Sequence, residues 1–342
     1  MNNYQANNSS FSKKIPCWYL SNGRDNLPWR KNITPYRIWI SEIMLQQTQV
    51  KTVIPFFDKF INKFPSLKSL SIASEDEILA LWTGLGFYRR AKNIYKAKEI
   101  IKGEFNNKFP EKFEDLIKLP GIGRSTAGAI MSIAYRKPYP ILDANVKRVI
   151  SRYEKIDIGQ KGIEKDLWSI SESFTPNKSI FEYTQGIMDL GATICSIKSP
   201  ECEICPINKS CKSAFSLLKE TKKTKKTKKV KPKKEIFFTL AHSKNSFLLF
   251  RKNENSFWES LWIPFDNDHA DKNLIFKKNF SKKLKKIKHA LSHVDLDITI
   301  EILNYERTFE LQSDVEYQWI KRNQIHNYGL PKPIKTIIEE HV

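Results

Sequence analysis

Between about Ser12 and Leu218, apolar residues recur at helical spacing in stretches of roughly ten to twenty positions, separated by Pro, Gly or Asn. That pattern predicts a mainly helical first region. Further along, the period changes. Ile236–Ala241 and Ser246–Arg251 are short apolar and aromatic runs on either side of His242–Asn245, as in a hairpin. Val294, Leu296, Ile298, Ile300 and Ile302 alternate strictly, as on a half-buried strand, and Pro333–His341 reads as a closing helix. Between the two regions lies Lys219–Lys234, KETKKTKKTKKVKPKK, with ten lysines and one glutamate, which has nothing to support a core. The expected organisation is a helical domain over 13–218, a linker over 219–234 and an α+β domain over 235–342.

The length of 342 residues suits two domains. Lys plus Arg number 58 against 37 Asp plus Glu, an excess of 21 positive charges that suits a polyanionic partner, or else reflects a surface dressed generally with lysine. The linker lysines read first as a solvated tether, and second as a source of sequence-independent attraction to phosphate. Apolar runs such as Phe181–Ala192 fall short of the roughly 20 residues that span a bilayer, and Met1–Ser12 is polar. A soluble, cytoplasmic protein without a membrane partner is expected. Of five cysteines, Cys17 stands apart from Cys195, Cys202, Cys205 and Cys211. An odd count without an export signal points to thiolate ligands over disulfides.

Two carboxyls sit where local structure gives them contrasting surroundings. Thr34 and Pro35 start a helix, YRIWISEIMLQQTQV, that puts Tyr36, Trp39, Ile40, Ile43 and Met44 on one face. Glu42 projects from the other side between Ile38 and Leu45, so a helix that is apolar all round should bury it and raise its pKa. Asp143, in YPILDANVKRVISRY, precedes a helix starting near Ala144, where backbone N–H groups favour its ionised form. Cleaving an N-glycosidic bond needs a proton for the leaving base and a negative charge beneath a cationic sugar, a task for two such groups. Each alone is ordinarily a plain cap or a solvated side chain, and a spacing of 101 residues does not bring them together.

Leu119–Ile130 reads LPGIGRSTAGAI: two glycines around Ile122 allow a tight turn with positive φ, and the helix that follows begins with free N–H groups able to hold a phosphate. This segment resembles the helix-hairpin-helix of the endonuclease III superfamily of DNA glycosylases. Bifunctional members carry a lysine nucleophile where this chain has Ser125, and a hydroxyl cannot form an imine. SEIMLQQTQV and ILDANVKRV resemble the catalytic segments of MutY-type adenine glycosylases. That likeness implies that Glu42 protonates adenine, that Asp143 stabilises the sugar cation or adds to it, that Asn145 orients the site and that Ser125 belongs to it. The family more often has Gly at Ala144.

The same resemblance extends to other segments. GRDNLPWR and MDLGATIC imply an adenine pocket of Arg24, Trp29, Leu45 and Asp189. Gln47, Thr48, Phe87 and Tyr88 would act where the duplex is opened, with Gly121, Gly123, Lys147 and Lys198 also on the DNA. From spacing alone, Cys195-x6-Cys202-x2-Cys205-x5-Cys211 fits a 4Fe-4S cluster or zinc; the resemblance favours the 4Fe-4S cluster. FWESLWIPF and HALSHVDLDI resemble the Nudix-like domain with which the family reads oxidised guanine, placing Leu291, Ser292 and His293 at that task. Leucine replaces the usual phenylalanine there, and no carboxylate-rich Nudix hydrolase box is present. The fold implied is a mainly α helix-hairpin-helix glycosylase with an iron-sulphur cluster loop, followed by a smaller α+β Nudix-like domain. The activity implied is monofunctional excision of adenine opposite 8-oxoguanine or guanine in double-stranded DNA, by a monomer. The alternatives are an endonuclease III-type glycosylase and lyase, or a non-catalytic iron-sulphur DNA-binding protein.

Overall fold

The computed structural model describes residues 8–216, 231–251, 258–266, 282–291, 294–311 and 315–340. No helix among them is long and apolar enough to cross a membrane. The chain forms two compact units, Met1–Ser71 with Lys96–Lys226, and Ile72–Tyr95 with Thr227–Val342. Eleven helices precede the first strand among the described residues: α1 (Asn8–Asn22), α2 (Pro35–Leu45), α3 (Val50–Lys63), α4 (Leu67–Ser71), α5 (Glu75–Trp82), α6 (Arg89–Glu104), α7 (Phe113–Leu116), α8 (Arg124–Ile133), α9 (Ala144–Glu154), α10 (Ile163–Phe174) and α11 (Ile180–Thr193). The boundary between the units falls inside α6.

In the first unit, local chemistry sets where the helices begin. The Thr34 hydroxyl accepts from the Arg37 N–H at 3.2 Å, with Pro35 as the first helical residue, so α2 starts where its cap predicts. Its Tyr36, Ile38, Trp39, Ile40, Ile43 and Met44 are all buried. At its N-terminal end the unit begins earlier than Lys13. Phe11 is fully buried, stacked on Phe174 of α10 at 4.4 Å and edge-on to Tyr153 of α9 at 4.7 Å. Helix α11 packs against α1, α8 and α9, with Tyr183, Ile187 and Leu190 in the core. The hairpin turn before α8 uses only one left-handed glycine. Gly121 has φ +82°, whereas Gly123 is extended (φ −86°, ψ 176°) as the residue capping α8.

The second unit is built on a sheet of β1 (Lys233–Ser243), β2 (Ser246–Arg251), β3 (Trp262–Ile263), β4 (Phe265–Asp266), β5 (Lys282–Ala290), β6 (Asp295–Tyr305) and β7 (Tyr317–Lys321), closed by α12 (Lys332–Glu340). Its main order is β3-β2-β1-β6-β5, with β4 on β1 and β7 on β2. β1 and β6 run parallel and the other pairs antiparallel, with β1 and β2 forming the expected hairpin. The alternation along β6 holds, with Leu296, Ile298, Ile300 and Ile302 buried. Lys233 and Lys234 pair with Asp295 and Leu296, so the sheet begins within the stretch expected to be linker.

This unit also takes in Ile72–Tyr95, which composition alone assigns to the helical region. The reason is long-range. Asp76 at the start of α5 accepts from Arg251 at 2.5 Å and from the Trp262 indole at 2.9 Å, both on the sheet.

One close approach positions the chain that leads to Asp143. A Cβ on Gly128 would lie 2.3 Å from the Pro140 carbonyl oxygen, so α8 and the 140–142 segment touch backbone to side-chain position. Gly128→Ala should therefore lower stability by roughly 1–3 kcal/mol, the usual cost of overpacking, measured as a lower urea midpoint. An unchanged midpoint would show that the segment does not rest on α8.

Candidate active site

Helix α2 repeats every three to four residues, so Ile38, Ser41, Glu42 and Leu45 share one face, and together they wall a cavity of about 130 Å³. That is several times what one water needs, about 10–15 Å³. Opposite this face stand Asp143 and Asn145 from the start of α9, and Gln185, Met188 and Ala192 along α11. Leu27, Trp29 and the guanidinium-bearing Arg24 and Arg30 line it from the segment ahead of α2. The two carboxyls separated by 101 residues therefore meet in one cavity, with three of the expected pocket residues, Arg24, Trp29 and Leu45.

The two carboxyls are tuned differently. Burial pushes Glu42 up to about 8, with the neighbouring Asp143 charge adding to the rise and Arg30 opposing it. It is protonated at neutral pH. Burial also raises Asp143, although its place at a helix start brings N–H groups that favour the ionised form. Hydrogen bonds from the N–H groups of Val146, at 2.7 Å, and Asn145 oppose that rise, as does Arg148, but burial outweighs them. Asp143 thus has donors aimed at its ionised form, and Glu42 is a carboxylic acid with a proton to give.

Asp189 does not line the cavity. It stands behind the wall, fully buried, and receives Arg24 at 2.6 Å and Arg30 at 2.7 Å. Burial is the largest influence on it and acts upward, yet the hydrogen bonds and charges of Arg30 and Arg24 together hold its pKa below the ordinary carboxylate value. Ser125 is likewise outside the lining: its hydroxyl accepts from the Leu142 N–H at 3.0 Å, tying α8 to the residue before Asp143. Ala144 is the first residue of α9 and needs no positive φ, so a methyl group is accommodated there.

The four clustered cysteines line one small cavity of about 30 Å³ at the end of α11. Arg152 reaches the Cys195 sulfur at 3.4 Å and the Ser196 carbonyl at 2.6 Å, and Arg148 donates to the Cys195 carbonyl at 2.8 Å. Burial pushes the Cys205 thiol up to about 11, with the other three cysteines adding to the rise, and burial raises Cys211 too. Four thiolates are stable here only around a cationic group. Among the described residues no three His, Cys, Asp or Glu are placed to hold a single metal ion.

Comparison with known proteins gives the family and the fold. Residues 40–173 match the family model described as HhH-GPD superfamily base excision DNA repair protein, and residues 236–340 match the NUDIX domain. The adenine DNA glycosylase of Buchnera aphidicola subsp. Schizaphis graminum is 43% identical, aligned over 96% of this chain and 98% of its own. The chain belongs to the adenine DNA glycosylase family. The Rattus norvegicus adenine DNA glycosylase is 36% identical over 61% of this chain and 42% of its own. Among solved structures, a thermostable thymine-DNA glycosylase superposes with a TM-score of 0.55 at 28% identity, covering 61% of this chain and 97% of that one. An endonuclease III–DNA complex does so with 0.54 at 20% identity, covering 64% and 100%, which shows a shared fold. The fold is thus that of a helix-hairpin-helix glycosylase followed by a Nudix-like domain.

The residues that the family likeness places on DNA are dispersed. Gln47 is exposed at the end of α2 with φ +55°, next to Gln46, whose amide donates to the Gly121 carbonyl of the hairpin turn at 3.2 Å. Thr48 lines the cavity. Lys147 pairs with Glu164 at 2.7 Å, and Lys198 is exposed beside the cysteine loop. In the second unit Phe87 is 45% exposed with φ +50°, whereas the Tyr88 hydroxyl is engaged by the Leu330 carbonyl, so only one of the two rings is presented. Leu291 is half-buried, its N–H donating to the Val294 carbonyl at 2.9 Å. Ser292 and His293 lie outside the described residues.

Arg30, Ser41, Gln185 and Met188 escaped the sequence reading although they line the cavity. The helical period held a signal for three of them. Ser41 precedes Glu42 on the Ile38–Leu45 face, and Gln185, Met188 and Ala192 follow one stripe of α11.

The elevated Glu42 pKa has a stability consequence. Between about pH 4.5 and 8 the folded protein keeps a proton that the unfolded chain has released, so the contribution of this group to stability falls as pH rises through that window. Glu42→Gln removes the dependence. Its thermal midpoint should gain on the unsubstituted protein by roughly 5 °C or more between pH 5 and pH 8. A difference that stays constant with pH would show that Glu42 ionises as an ordinary glutamate.

Proposed function

We propose that the protein is a monofunctional glycosylase that removes adenine mispaired with 8-oxoguanine, or with guanine, from double-stranded DNA during base excision repair. The observation that carries this reading is the placement of Glu42, whose burial favours its protonated form, in the same cavity as Asp143. An adenine turned out of the duplex receives the Glu42 proton on a ring nitrogen. The electrons of the N-glycosidic bond then leave with the base, and Asp143 opposes the positive charge left on the sugar. Water adds at the anomeric carbon and gives its proton to the Glu42 carboxylate, which restores the acid. Asn145, whose N–H and side chain hydrogen-bond Asp143, and whose amide oxygen accepts from Arg148 at 2.8 Å, fixes the position of that carboxyl. Ser125 acts through the Leu142 N–H and offers no amine, which supports hydrolysis without strand cleavage.

Trp29 and Leu45 would face the adenine ring, with Arg24 held by Asp189. Gln47 and Phe87 act at the opened step, both exposed and both in the left-handed backbone region. Gly121, Gly123 and Lys198 meet phosphates, aided by the net charge of +21. Lys147 does so on exchanging Glu164 for a phosphate. Leu291, Ser292 and His293 read the base opposite adenine. Cys195, Cys202, Cys205 and Cys211 would hold a 4Fe-4S cluster, which when bound supplies ligation energy that orders the 195–211 loop. The protein works as a cytoplasmic monomer.

Two experiments test this. In single-turnover assays on duplexes with adenine opposite 8-oxoguanine, Glu42→Gln should lose roughly 10²-fold or more in rate, as for a missing general acid. Asp143→Asn should lose as much or more. Release of thymine glycol in place of adenine, or an unimpaired Glu42→Gln, would sink the assignment. Protein purified anaerobically should contain iron and sulfide with little zinc, and stoichiometric zinc alone would exclude the cluster.

A further inference from the structure

The loop that carries Phe87, between α5 and α6, cannot hold its own shape by local forces alone. Phe87 has φ +50°, a conformation that side-chain-bearing residues avoid unless the surroundings impose it, and Gly84 and Gly86 just before it also have positive φ. Part of what imposes it is local. The Trp82 indole and the Arg90 guanidinium both donate to the Gly86 carbonyl at 3.1 Å, and Arg90 lies 5.3 Å from the centre of the Phe87 ring.

The remainder comes from far along the chain. The loop's two shoulders, Thr83 and Tyr88, both donate their hydroxyls to one acceptor, the carbonyl of fully buried Leu330, at 3.1 and 3.4 Å. The Tyr88 oxygen in turn accepts from the Gly84 N–H at 3.3 Å, which closes the loop across its base. Outside these shoulders, Lys92 pairs with Glu259 at 2.5 Å, and Asp76 accepts from Arg251 and from the Trp262 indole. Every one of these partners belongs to the same compact unit as the loop.

We infer that Thr83, Tyr88 and the Leu330 carbonyl form a clamp by which the C-terminal part of the chain pre-shapes the Phe87 loop for opening the duplex, whatever base lies opposite adenine. The inference rests on the reading of Phe87 as a side chain that enters the base stack. Thr83 and Tyr88 are positioning residues, since they act through the loop and not on the DNA. The Nudix-like unit thereby serves base opening as well as reading the opposite base. Holding an exposed ring in its working conformation before the DNA arrives removes an ordering cost from the opening step.

The test measures opening without chemistry. Full-length protein is mixed with duplexes in which 2-aminopurine, whose fluorescence is quenched by stacking, replaces adenine opposite 8-oxoguanine. A second set holds the same base in an unpaired bubble. Thr83→Val combined with Tyr88→Phe should reduce the opening equilibrium on the intact duplex roughly tenfold, as expected for two lost hydrogen bonds. Phe87→Ala should do the same. On the bubble, where little unstacking is left to drive, both should match the unsubstituted protein. An equal loss on both substrates would mean general damage, and full opening by the double variant where Phe87→Ala fails would mean that the loop needs no clamp. Either result overturns the inference. If Phe87→Ala opens the duplex normally, the reading of Phe87 falls and the clamp with it. Opening by the unsubstituted protein without release of adenine from matched substrates would overturn the glycosylase assignment alone and leave the clamp supported.

Discussion

A carboxylate without solvent has to be paired, and Asp189 is paired twice. Losing either partner of a buried ion pair costs about 3–5 kcal/mol, so α11 and the segment ahead of α2 are fixed to each other wherever Asp189 stays charged. Arg30, its side chain only 4% exposed, is held by that bond and also lines the cavity, where its charge restrains the pKa rise of Glu42. Arg24, more open at 27%, lines the same space. One buried carboxylate thus sets the floor of the cavity, its electrostatics and the register of the chain entering α2.

The same cavity shows why a carboxylic acid and a capped carboxylate coexist in one small volume. Both lose hydration, and both pKa values rise. The difference is what each receives in exchange. Asp143 sits where a helix presents unsatisfied N–H groups, and its charge is answered by Val146, Asn145 and Arg148. Glu42 projects from the middle of α2, where the backbone N–H groups are already used within the helix, so a neighbouring negative charge adds to the cost of ionising it. Position along a helix, start against middle, separates the donor of a proton from the holder of a charge.

That distinction was legible in the sequence, because capping and helical period are local. Thr34-Pro35, the apolar circuit of α2 and Asp143 ahead of α9 all stand where spacing put them. What was not legible depends on contacts between distant residues. The Arg30–Asp189 bond joins positions 159 apart, so nothing near Arg30 announces it. The upward shift of Asp143 comes from burial by other helices, which its capping position does not reveal. Ser125 was read as part of the site, and it touches the chain there by accepting from the Leu142 N–H, a contact no local pattern announces. Tyr88 was grouped with Phe87 where the duplex is opened, and a hydrogen bond to a carbonyl 242 residues away sets the two apart.

The allotment of Ile72–Tyr95 to the second unit follows from the same long-range logic and has a functional side. Helix α5 is well made on its own terms, with the Ser74–Glu77 capping box at its start, so its sequence gives no sign of foreign support. Yet eight helical residues are marginal in isolation, and the loop after them carries strained backbone that a short helix cannot enforce. Asp76 at one end of α5 and Thr83 at the other are each bonded to residues from the C-terminal part of the chain, Arg251 with Trp262 and Leu330. A helix fixed at both ends transmits that rigidity to the loop it precedes. Gln47, by contrast, keeps its left-handed backbone within the first unit, beside a Gln46 amide bonded to the hairpin turn. The two exposed, strained residues are therefore supported by separate bodies of the protein, and each body has its own long-range hydrogen bonds for the purpose.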